Sequence, residues 1–311
     1  MNKAVEKKEY VSLPYFGLNK LLPYLKPYRF IMISMVILGL LTSTVDIILP
    51  LFQQYALNHF IALGTLEGLP IFVILYVTVL LCQVVFTFVS CYQASQVEMY
   101  VGRDMKRASF NHLQTLSFSY YNQNSVGYIH ARVMSDTNRI GSLVSWSLMD
   151  GVWNVTYLLG AIVVMLAVNV QLALVVLVVV PLTALASGYF QKRLVGLNRK
   201  IREINSRITG NFNEGITGAK TTKTLVVEEK MERDFNRTSG EMTKTSIRAA
   251  HFRALFTSVI SFASYLALAL VLWQGGYITM QQVIELGTLS VFMSYALGMM
   301  EPVQWLVRVI S

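Results

Sequence analysis

The sequence predicts an all-α membrane protein with six long transmembrane helices, cytoplasmic extensions and two intracellular loops. Three observations predict this fold class. Hydrophobic residues make up 54% of the chain and charged residues only 14%, whereas soluble domains carry about 25% charged residues. Six apolar runs follow one another along the chain, and two polar stretches, Leu113–Leu143 and Asn211–Phe235, lie between them. Because too few polar residues remain to cover a water-exposed surface, most of the chain must face lipid or other helices.

Each apolar run has roughly 15 to 22 residues, close to the ~20 that cross ~30 Å of hydrocarbon. Inside lipid every backbone amide needs a partner within its own segment, so we expect helices rather than open strands. The runs are Phe30–Leu51, Ile71–Ser90, Val152–Val168, Leu172–Ala186, Leu255–Trp273 and Ile284–Met300.

A separate N-terminal segment, residues 1–29, precedes the membrane domain, residues 30–311. Within it, Tyr15–Arg29 mixes aromatics, leucines and bases, which is typical of a short amphipathic helix in the headgroup region. No uninterrupted apolar core precedes Phe30, so the sequence predicts no cleavable signal peptide.

The positions of the basic residues predict the topology. Of the 26 Lys and Arg residues, six lie in Met1–Arg29, five in Glu98–Ile140 and 14 in Gln191–Arg253. The other connections contain none: His59–Leu69, Asn169–Gln171 and Gly275–Gln282. Because basic loops stay on the cytoplasmic side, we expect the N-terminus and both polar stretches to be cytoplasmic. Six alternating spans satisfy this arrangement.

Several helices are predicted to be longer than the bilayer is thick. No proline occurs between Pro70 and Pro181, and helix-compatible sequence runs from Ile71 to about Leu116. A helix of about 46 residues extends about 69 Å, roughly twice the bilayer thickness. Similar extensions are predicted for residues 127–168, 170–210 and 228–273. Their basic stripes indicate solvated faces rather than a nucleic-acid interface.

The sequence lacks the patterns that would indicate catalysis or metal binding. A phosphate-binding loop requires G-x-x-x-x-G-K-[ST] after a strand. Gly210–Gly215 has the glycine spacing, but Ile216 and Thr217 occupy the Lys and Ser/Thr positions, and a long helix precedes it. Cys82 and Cys91 lie about 13 Å apart along one helix, too far for a disulfide, and no further Cys or His completes a metal site. We therefore expect this chain alone to be no enzyme and to bind no metal or cofactor.

Three ionisable residues fall near or within apolar runs: Asp46, Glu301 and Arg308. Each costs about 3 kcal/mol or more at mid-bilayer unless it faces a wet cavity or a partner. We interpret Asp46 and Glu301 as lining a substrate pathway. Weaker candidates, which are more often interhelical hydrogen-bonding residues, are Gln53, Gln83, Asn154 and Trp305. Acidic groups there would favour cationic or amphipathic cargo. The alternative is that the two carboxylates pair with Arg308 or cap the kinks at nearby prolines.

Five segments carry a resemblance to a known family. They are Leu22–Arg29 (LPYLKPYR), Leu116–Arg132 (LSFSYYNQNSVGYIHAR) with the Ser135-Asp136-Thr137 that follows, Asn213–Phe235 with Glu214, Gly218 and an E-x-x-x-E-R-x-F pattern from Glu228, Glu285–Thr288 (ELGT), and Pro302. In this order and at this spacing they resemble the transmembrane domain of ABC exporters, the half-transporter type with six long helices. The resemblance covers essentially the whole chain.

The resemblance implies two coupling helices that dock on nucleotide-binding domains, with Tyr120 and Tyr121 as aromatic anchors. The residues concerned are Ser119, Tyr120, Tyr121, Asn122, Gln123 and Asn124 in the first helix, and Ile216, Thr217, Gly218, Ala219, Lys220, Thr221 and Thr222 in the second. It further implies a second transmembrane half, identical or different, in a bacterial plasma membrane. ATP and magnesium would bind the nucleotide-binding domains, and alternating access would move the cargo.

One departure and two rival hypotheses remain open. The family normally carries its nucleotide-binding domain after the sixth helix, whereas this sequence ends at Ser311, within that helix. We expect either a truncated chain or an ATPase on a separate chain. The first rival is a secondary transporter with Asp46 and Glu301 as ion carriers; no convincing internal repeat supports it, and it gives the long cytoplasmic helices no purpose. The second is a membrane sensor or scaffold without transport.

Overall fold

The computed structural model describes the backbone of residues 18–310 and the side chains of residues 20–309. Within that range the regular structure is helical and contains no strand, which confirms the all-α fold class. The α-helices are α1 (Leu18–Leu25), α2 (Arg29–Tyr55), α3 (Leu69–Leu113), α4 (Phe118–Gln123), α5 (Val126–His130), α6 (Thr137–Val168), α7 (Val170–Thr217), α8 (Ala219–Leu225), α9 (Glu228–Met280), α10 (Leu286–Gly298) and α11 (Met300–Ile310). A 3₁₀ turn (Lys26–Tyr28) follows α1, and π-helical turns follow α2 (Ala56–Ile61) and α5 (Ala131–Asp136). The start of the predicted interfacial segment, residues 15–17, lies outside the described residues.

The predicted extension of helices beyond the bilayer is confirmed. Helices α3, α7 and α9 contain 45, 48 and 53 residues, which corresponds to about 68–80 Å at 1.5 Å per residue. Helix α7 continues to Thr217 rather than ending near Gly210, and α9 continues to Met280 rather than Trp273. Each is more than twice as long as the ~30 Å hydrocarbon layer.

Local sequence explains where these helices begin. Asn169 joins α6 to α7, and its side-chain oxygen accepts a hydrogen bond from the Leu172 N–H at 3.0 Å, the usual role of an N-cap asparagine. Pro70 lies in the first turn of α3, where its missing N–H leaves no bond unmade. Glu228 and Glu229 occupy the first turn of α9, at the positive end of the helix dipole.

Five helical segments within the described residues are long and apolar enough to cross a membrane. They are Lys20–Ile61, Leu69–Leu113, Val126–Val168, Val170–Thr217 and Glu228–Met280. They contain the first five predicted apolar runs.

The sixth run is divided between α10 and α11, which have 13 and 11 residues. Pro302 explains the division, because it has no N–H to donate to the carbonyl of Gly298. Met299 between the two helices keeps right-handed helical dihedrals, and its N–H still bonds to the Tyr295 carbonyl at 2.9 Å.

Large apolar side chains are exposed along the predicted spans. The exposed residues include Phe30, Phe88, Leu185, Phe262 and Trp273, each exposed by 69% or more. Apolar surface of this extent does not face water in a soluble monomer, whereas lipid accommodates it without cost. The chain is an integral membrane protein.

The chain forms two compact units. The first comprises the residues up to Asp46 and Pro70–Thr156. Its core centres on Met35 of α2 packed with the small side chains of Ala94, Val97 and Val101 on α3. Close helix approach accompanies this packing: a Cβ on Gly141 of α6 would lie 2.8 Å from the Glu98 carbonyl oxygen of α3. Small residues at such contacts are characteristic of membrane helix pairs.

The second unit comprises Ile47–Leu69 and the residues from Tyr157 onward. Helices α7 and α9 pack along each other, and α10 packs against α9. Phe292 and Tyr295 of α10 are fully buried. The Tyr295 hydroxyl donates to the Ile47 carbonyl at 2.5 Å, so a buried hydroxyl is satisfied by the backbone of α2.

Candidate functional site

The first elbow, residues 114–125, contains α4 between two extended residues, Ser117 and Asn124. It lies far from the apolar run of α3, because the 23 residues from Ser90 to Leu113 extend about 35 Å. The Tyr121 hydroxyl donates to the Leu113 carbonyl at 2.6 Å and closes the elbow onto the end of α3. The short helix Phe118–Gln123 agrees with the predicted bounds 119–124 to within one residue.

The aromatic side chains of the first elbow differ in exposure. Tyr120 is half-buried and its ring meets the Tyr121 ring edge-on at 5.8 Å. Phe118, one residue before the predicted range, is 88% exposed, and Val126 just after the elbow is 84% exposed. Both are large apolar side chains that no other described residue covers. The anchors predicted from the sequence are Tyr120 and Tyr121, and Phe118 was not among them.

The second elbow, residues 218–227, contains α8. The predicted coupling helix began at Ile216, but α7 continues through Thr217, and the short helix is Ala219–Leu225. Gly218 separates the two helices, and its N–H still bonds to the Glu214 carbonyl at 2.8 Å. Val226 ends α8 in the left-handed region at φ 54°, a rare conformation for a β-branched residue. The elbow lies about 46 Å beyond Ala186, where the apolar run of α7 ends.

Charge and apolar surface both occur on the second elbow. Lys223 forms an ion pair with Glu228 of α9 at 2.9 Å, and both side chains are partly exposed. A backbone N–H bond at the start of α9 and the Lys223 ammonium hold the pKa of Glu228 below its usual range. Leu225 and Val226 are 64% and 81% exposed. Each elbow thus presents apolar side chains tens of ångströms beyond an apolar run.

Asp46 has defined hydrogen-bond partners inside its unit. Its carboxylate accepts hydrogen bonds from the Gln83 amide of α3 and from Trp153 Nε1 of α6, the latter at 2.7 Å. Both donors are neutral, so they solvate the carboxylate without neutralising its charge.

A cavity of about 300 Å³ adjoins this carboxylate, and its lining includes Thr42, Ser90 and Asp150. Ser90 is 4% exposed, and its hydroxyl has no hydrogen-bond partner among the described residues. Gln83 was noted from the sequence as a weaker candidate, whereas Trp153 was missed.

Gln53, Glu301 and Trp305, also predicted for the pathway, have no polar partner within the described part of the chain. Gln53 and Glu301 are exposed, and Trp305 is half-buried. No ion pair joins Glu301 to Arg308 among the described residues, so the pairing alternative gains no support. The pathway assignment itself stays a prediction.

Comparison with known proteins gives the family. The model of the ABC transporter transmembrane region matches residues 32–303. The chain belongs to this family. The chain is 25% identical, over 94% of its own length, to "Putative multidrug export ATP-binding/permease protein YgaD" of Bacillus subtilis. Proteins of Staphylococcus aureus with the corresponding name are 24% identical over 89% of the chain. The chain spans about half the length of these curated relatives: 51% and 49%.

The ELGT segment of this ABC transporter transmembrane region connects α10 to the end of the first span, within the second unit. The Asn58 side chain donates to Glu285 and accepts from the Gly287 N–H at 2.7 Å. Gln54 donates to the Thr288 hydroxyl at 2.9 Å. A Cβ on Gly287 would collide with the Gln54 carbonyl oxygen at 2.5 Å, so this position requires glycine. These contacts explain why three polar or glycine positions occur together in ELGT, and no local pattern identified their partners.

Proposed function

We propose that the chain is the membrane-spanning half of an ATP-driven exporter, and that nucleotide-binding domains drive it through the two elbows. The observation that carries the proposal is the exposure of Phe118 at 88%, about 35 Å beyond the apolar run of α3. Apolar side chains exposed outside lipid mark protein contact sites. Membership of a family named for the membrane region of ABC transporters supports an ATPase domain as the partner.

The mechanism follows from helix length. When two nucleotide-binding domains bind ATP and magnesium and close, the docked elbows move with them. Helices α3, α7 and α9 continue without interruption from the elbows into the hydrocarbon layer, so displacement of an elbow rotates or shifts a span. Rigid-body movement of packed helices is an established way to switch between two states. Alternation between inward-facing and outward-facing states would carry cargo across.

A second transmembrane half completes the pathway. Six helices enclose little space alone, and relatives named as ATP-binding/permease proteins are about twice as long as the aligned part of this chain. We infer that the nucleotide-binding domain belongs to a further segment or to a separate chain. The concentration of Lys and Arg at the N-terminus and elbows supports a cytoplasmic location for both.

The cargo proposal rests on Asp46 and its cavity. A carboxylate solvated by Gln83 and Trp153 beside about 300 Å³ of space favours a cationic, partly apolar molecule. The unpartnered Ser90 hydroxyl offers such a molecule one further hydrogen bond. Gln53, Glu301 and Trp305 extend the proposed pathway. The relatives' names, which specify multidrug export, are consistent with this class of cargo.

Transport in proteoliposomes tests this function. The chain would be reconstituted with its nucleotide-binding domains, and ATP-dependent movement of a fluorescent lipophilic cation would be followed beside a neutral dye of similar size. Asp46→Asn should slow cation transport by about ten-fold and leave the neutral dye unaffected. Glu67→Gln, which removes a carboxylate from the α2–α3 connection, is the matched control and should transport normally. An ion-gradient mechanism would instead give transport without ATP that collapses with an ionophore.

A further inference from the structure

A second cleft lies in the second unit between α7 and α9, separate from the elbows and from Asp46. It has a volume of about 600 Å³. Five of its lining residues come from α7 at spacings of three and four, which places them on one helix face; with the α9 residue they are Tyr189, Lys192, Arg193, Gly196, Leu197 and Phe252. At Gly196 a Cβ would meet no atom within 4 Å, so the missing side chain keeps the cleft open.

The cleft is electropositive. Lys192 and Arg193 are exposed, and neither has an acidic partner among the described residues. The Arg193 guanidinium lies 5.7 Å from the centre of the Tyr189 ring, which orients it over an aromatic surface. Two bases without counter-charges beside aromatic walls form a receptor for an anion with apolar parts.

Depth along the helix places these bases at a membrane boundary. Val170 begins α7, and Lys192 lies 22 residues further on, about 33 Å along the axis. This length equals the thickness of the hydrocarbon layer to within a few ångströms. With Val170 placed at one boundary of the hydrocarbon layer, the two charged groups reach the level of the lipid phosphates at the other.

An exposed apolar stripe leads along α7 to the cleft. Its members recur at spacings of four and three on the face that carries Tyr189; they are Leu174, Val178, Leu182 and Leu185, exposed by 55–73%. On α9, Leu255 and Phe262 are likewise exposed, by 55% and 69%. A basic cleft that ends an apolar stripe matches an amphiphile with an anionic head and hydrocarbon tails.

We propose that this cleft binds an anionic membrane lipid. The lipid phosphate pairs with Lys192 and Arg193, and the rest of the headgroup enters the space next to Gly196. The acyl chains lie along the exposed apolar stripe of α7. A zwitterionic lipid gains less, because its own cationic group competes for the phosphate and repels the two bases. This site is independent of the proposed export function: it requires that α7 and α9 cross a membrane and that this face of the pair contacts lipid in the assembly.

Photocrosslinking tests the site. The assembly that contains this chain is placed in nanodiscs of phosphatidylcholine with a minor fraction of phosphatidylglycerol, and the headgroup photoprobe is carried by one lipid or the other. Crosslinks to the peptides of Tyr189 and Phe252 are quantified by mass spectrometry. The phosphatidylglycerol probe should label these peptides at least about ten-fold more than the phosphatidylcholine probe. The double variant Lys192→Gln with Arg193→Gln should abolish this difference in labelling.

Two further variants separate a built site from diffuse attraction. Lys200→Gln with Arg202→Gln removes the same charge about 12 Å deeper along α7 and should leave labelling unchanged. Gly196→Leu fills the cleft without changing charge and should reduce labelling several-fold, which keeps the test valid if the first double variant folds poorly.

Three outcomes would overturn the site. Equal losses in both double variants would indicate non-specific electrostatics. Absence of preference in the wild-type assembly would indicate that a second copy or another chain covers the face. Displacement of the lipid by excess soluble glycerol phosphate would assign the cleft to a free phosphoester instead.

Discussion

The two elbows perform the same proposed task with different chemistry. The first connects α3 to α5 through extended residues on both sides of a six-residue helix, and aromatic contacts hold it: the Tyr121 hydroxyl on the Leu113 carbonyl and the Tyr120–Tyr121 edge contact. The second is an almost continuous helical turn, in which Gly218 alone separates α7 from α8 and a Lys223–Glu228 ion pair joins α8 to α9.

The two elbows therefore differ in which part is rigid and which part bends. A neutral aromatic elbow keeps its shape over a wide range of pH and salt, whereas an exposed ion pair is weak and screened by salt. In the second elbow, a single glycine between two helices allows the chain to bend at one point. In the first elbow, the extended residues on both sides of α4 allow that helix to move as a rigid body. We therefore expect the first elbow to supply the binding energy of docking and the second to supply the bend.

The largest effect is expected from Phe118→Ala, because Phe118 is the most exposed aromatic of the first elbow. Loss of a central aromatic anchor typically weakens an interface by about 2 kcal/mol, or about thirty-fold. Cargo-stimulated ATPase activity of the assembly should fall accordingly. Phe110→Ala, on α3 before the elbow and also exposed, should retain normal stimulation. If the two variants behave alike, the docking role of Phe118 is wrong.

The second largest effect is expected from Gly218→Val, which should change the second elbow alone. A Cβ at Gly218 would lie 2.8 Å from the Glu214 carbonyl oxygen, so the hinge must distort. We expect a cost of about 1–3 kcal/mol, visible as faster hydrogen exchange of the α8 amides. Gly240→Val on α9, where a Cβ meets nothing within 4 Å, is the matched control. Unchanged α8 exchange would show that Gly218 is not the hinge.

A smaller effect is expected from Tyr121→Phe, which removes only the hydrogen bond to the Leu113 carbonyl. A bond of this kind contributes about 1 kcal/mol, so amides of α4 should exchange about five-fold faster. Tyr120→Phe serves as the control, because the Tyr120 hydroxyl has no hydrogen-bond partner among the described residues. Equal behaviour of the two variants would contradict the assigned closure of the first elbow.

The smallest effect concerns pH. The pKa of Glu228 is lower in the folded chain than its ordinary 4.5, chiefly through a backbone N–H bond and then through Lys223. Its contribution to stability is therefore present above pH 4.5 and lost as the pH falls through the folded pKa. Hydrogen exchange, corrected for intrinsic rates, should show the second elbow loosening as the pH falls below 4.5, and Glu228→Gln should remove the change. The first elbow, residues 114–125, contains no carboxylate and should not respond.

The sequence predicted the parts of this fold that depend on local chemistry. Long helices followed from the absence of proline between Pro70 and Pro181, and the first elbow from the polar, aromatic stretch Leu113–Leu143 between two apolar runs. The second elbow was misplaced by three residues, because Ile216 and Thr217 are compatible with either helix. Only the Gly218 N–H bond to Glu214 assigns both to α7.

Long-range contacts of the candidate site could not be predicted. Trp153 donates to Asp46 across 107 positions of sequence, and Asn58 contacts Gly287 across 229. Neither pair leaves a periodic pattern in the sequence, because each contact depends on which faces of two distant helices pack against each other. The prominence of Phe118 was missed for a related reason: exposure depends on tertiary packing rather than on residue type.

The most direct test of the central claim is side-specific labelling of the elbow. In a chain with Cys82 and Cys91 replaced by alanine, Ser119→Cys introduces a thiol on exposed α4. Sealed vesicles of both orientations are treated with a membrane-impermeant maleimide, with and without the nucleotide-binding domain. We expect labelling only when the cytoplasmic face is outside, and we expect the bound domain to protect the thiol. Labelling from the opposite face, or labelling that the domain leaves unchanged, would contradict this expectation.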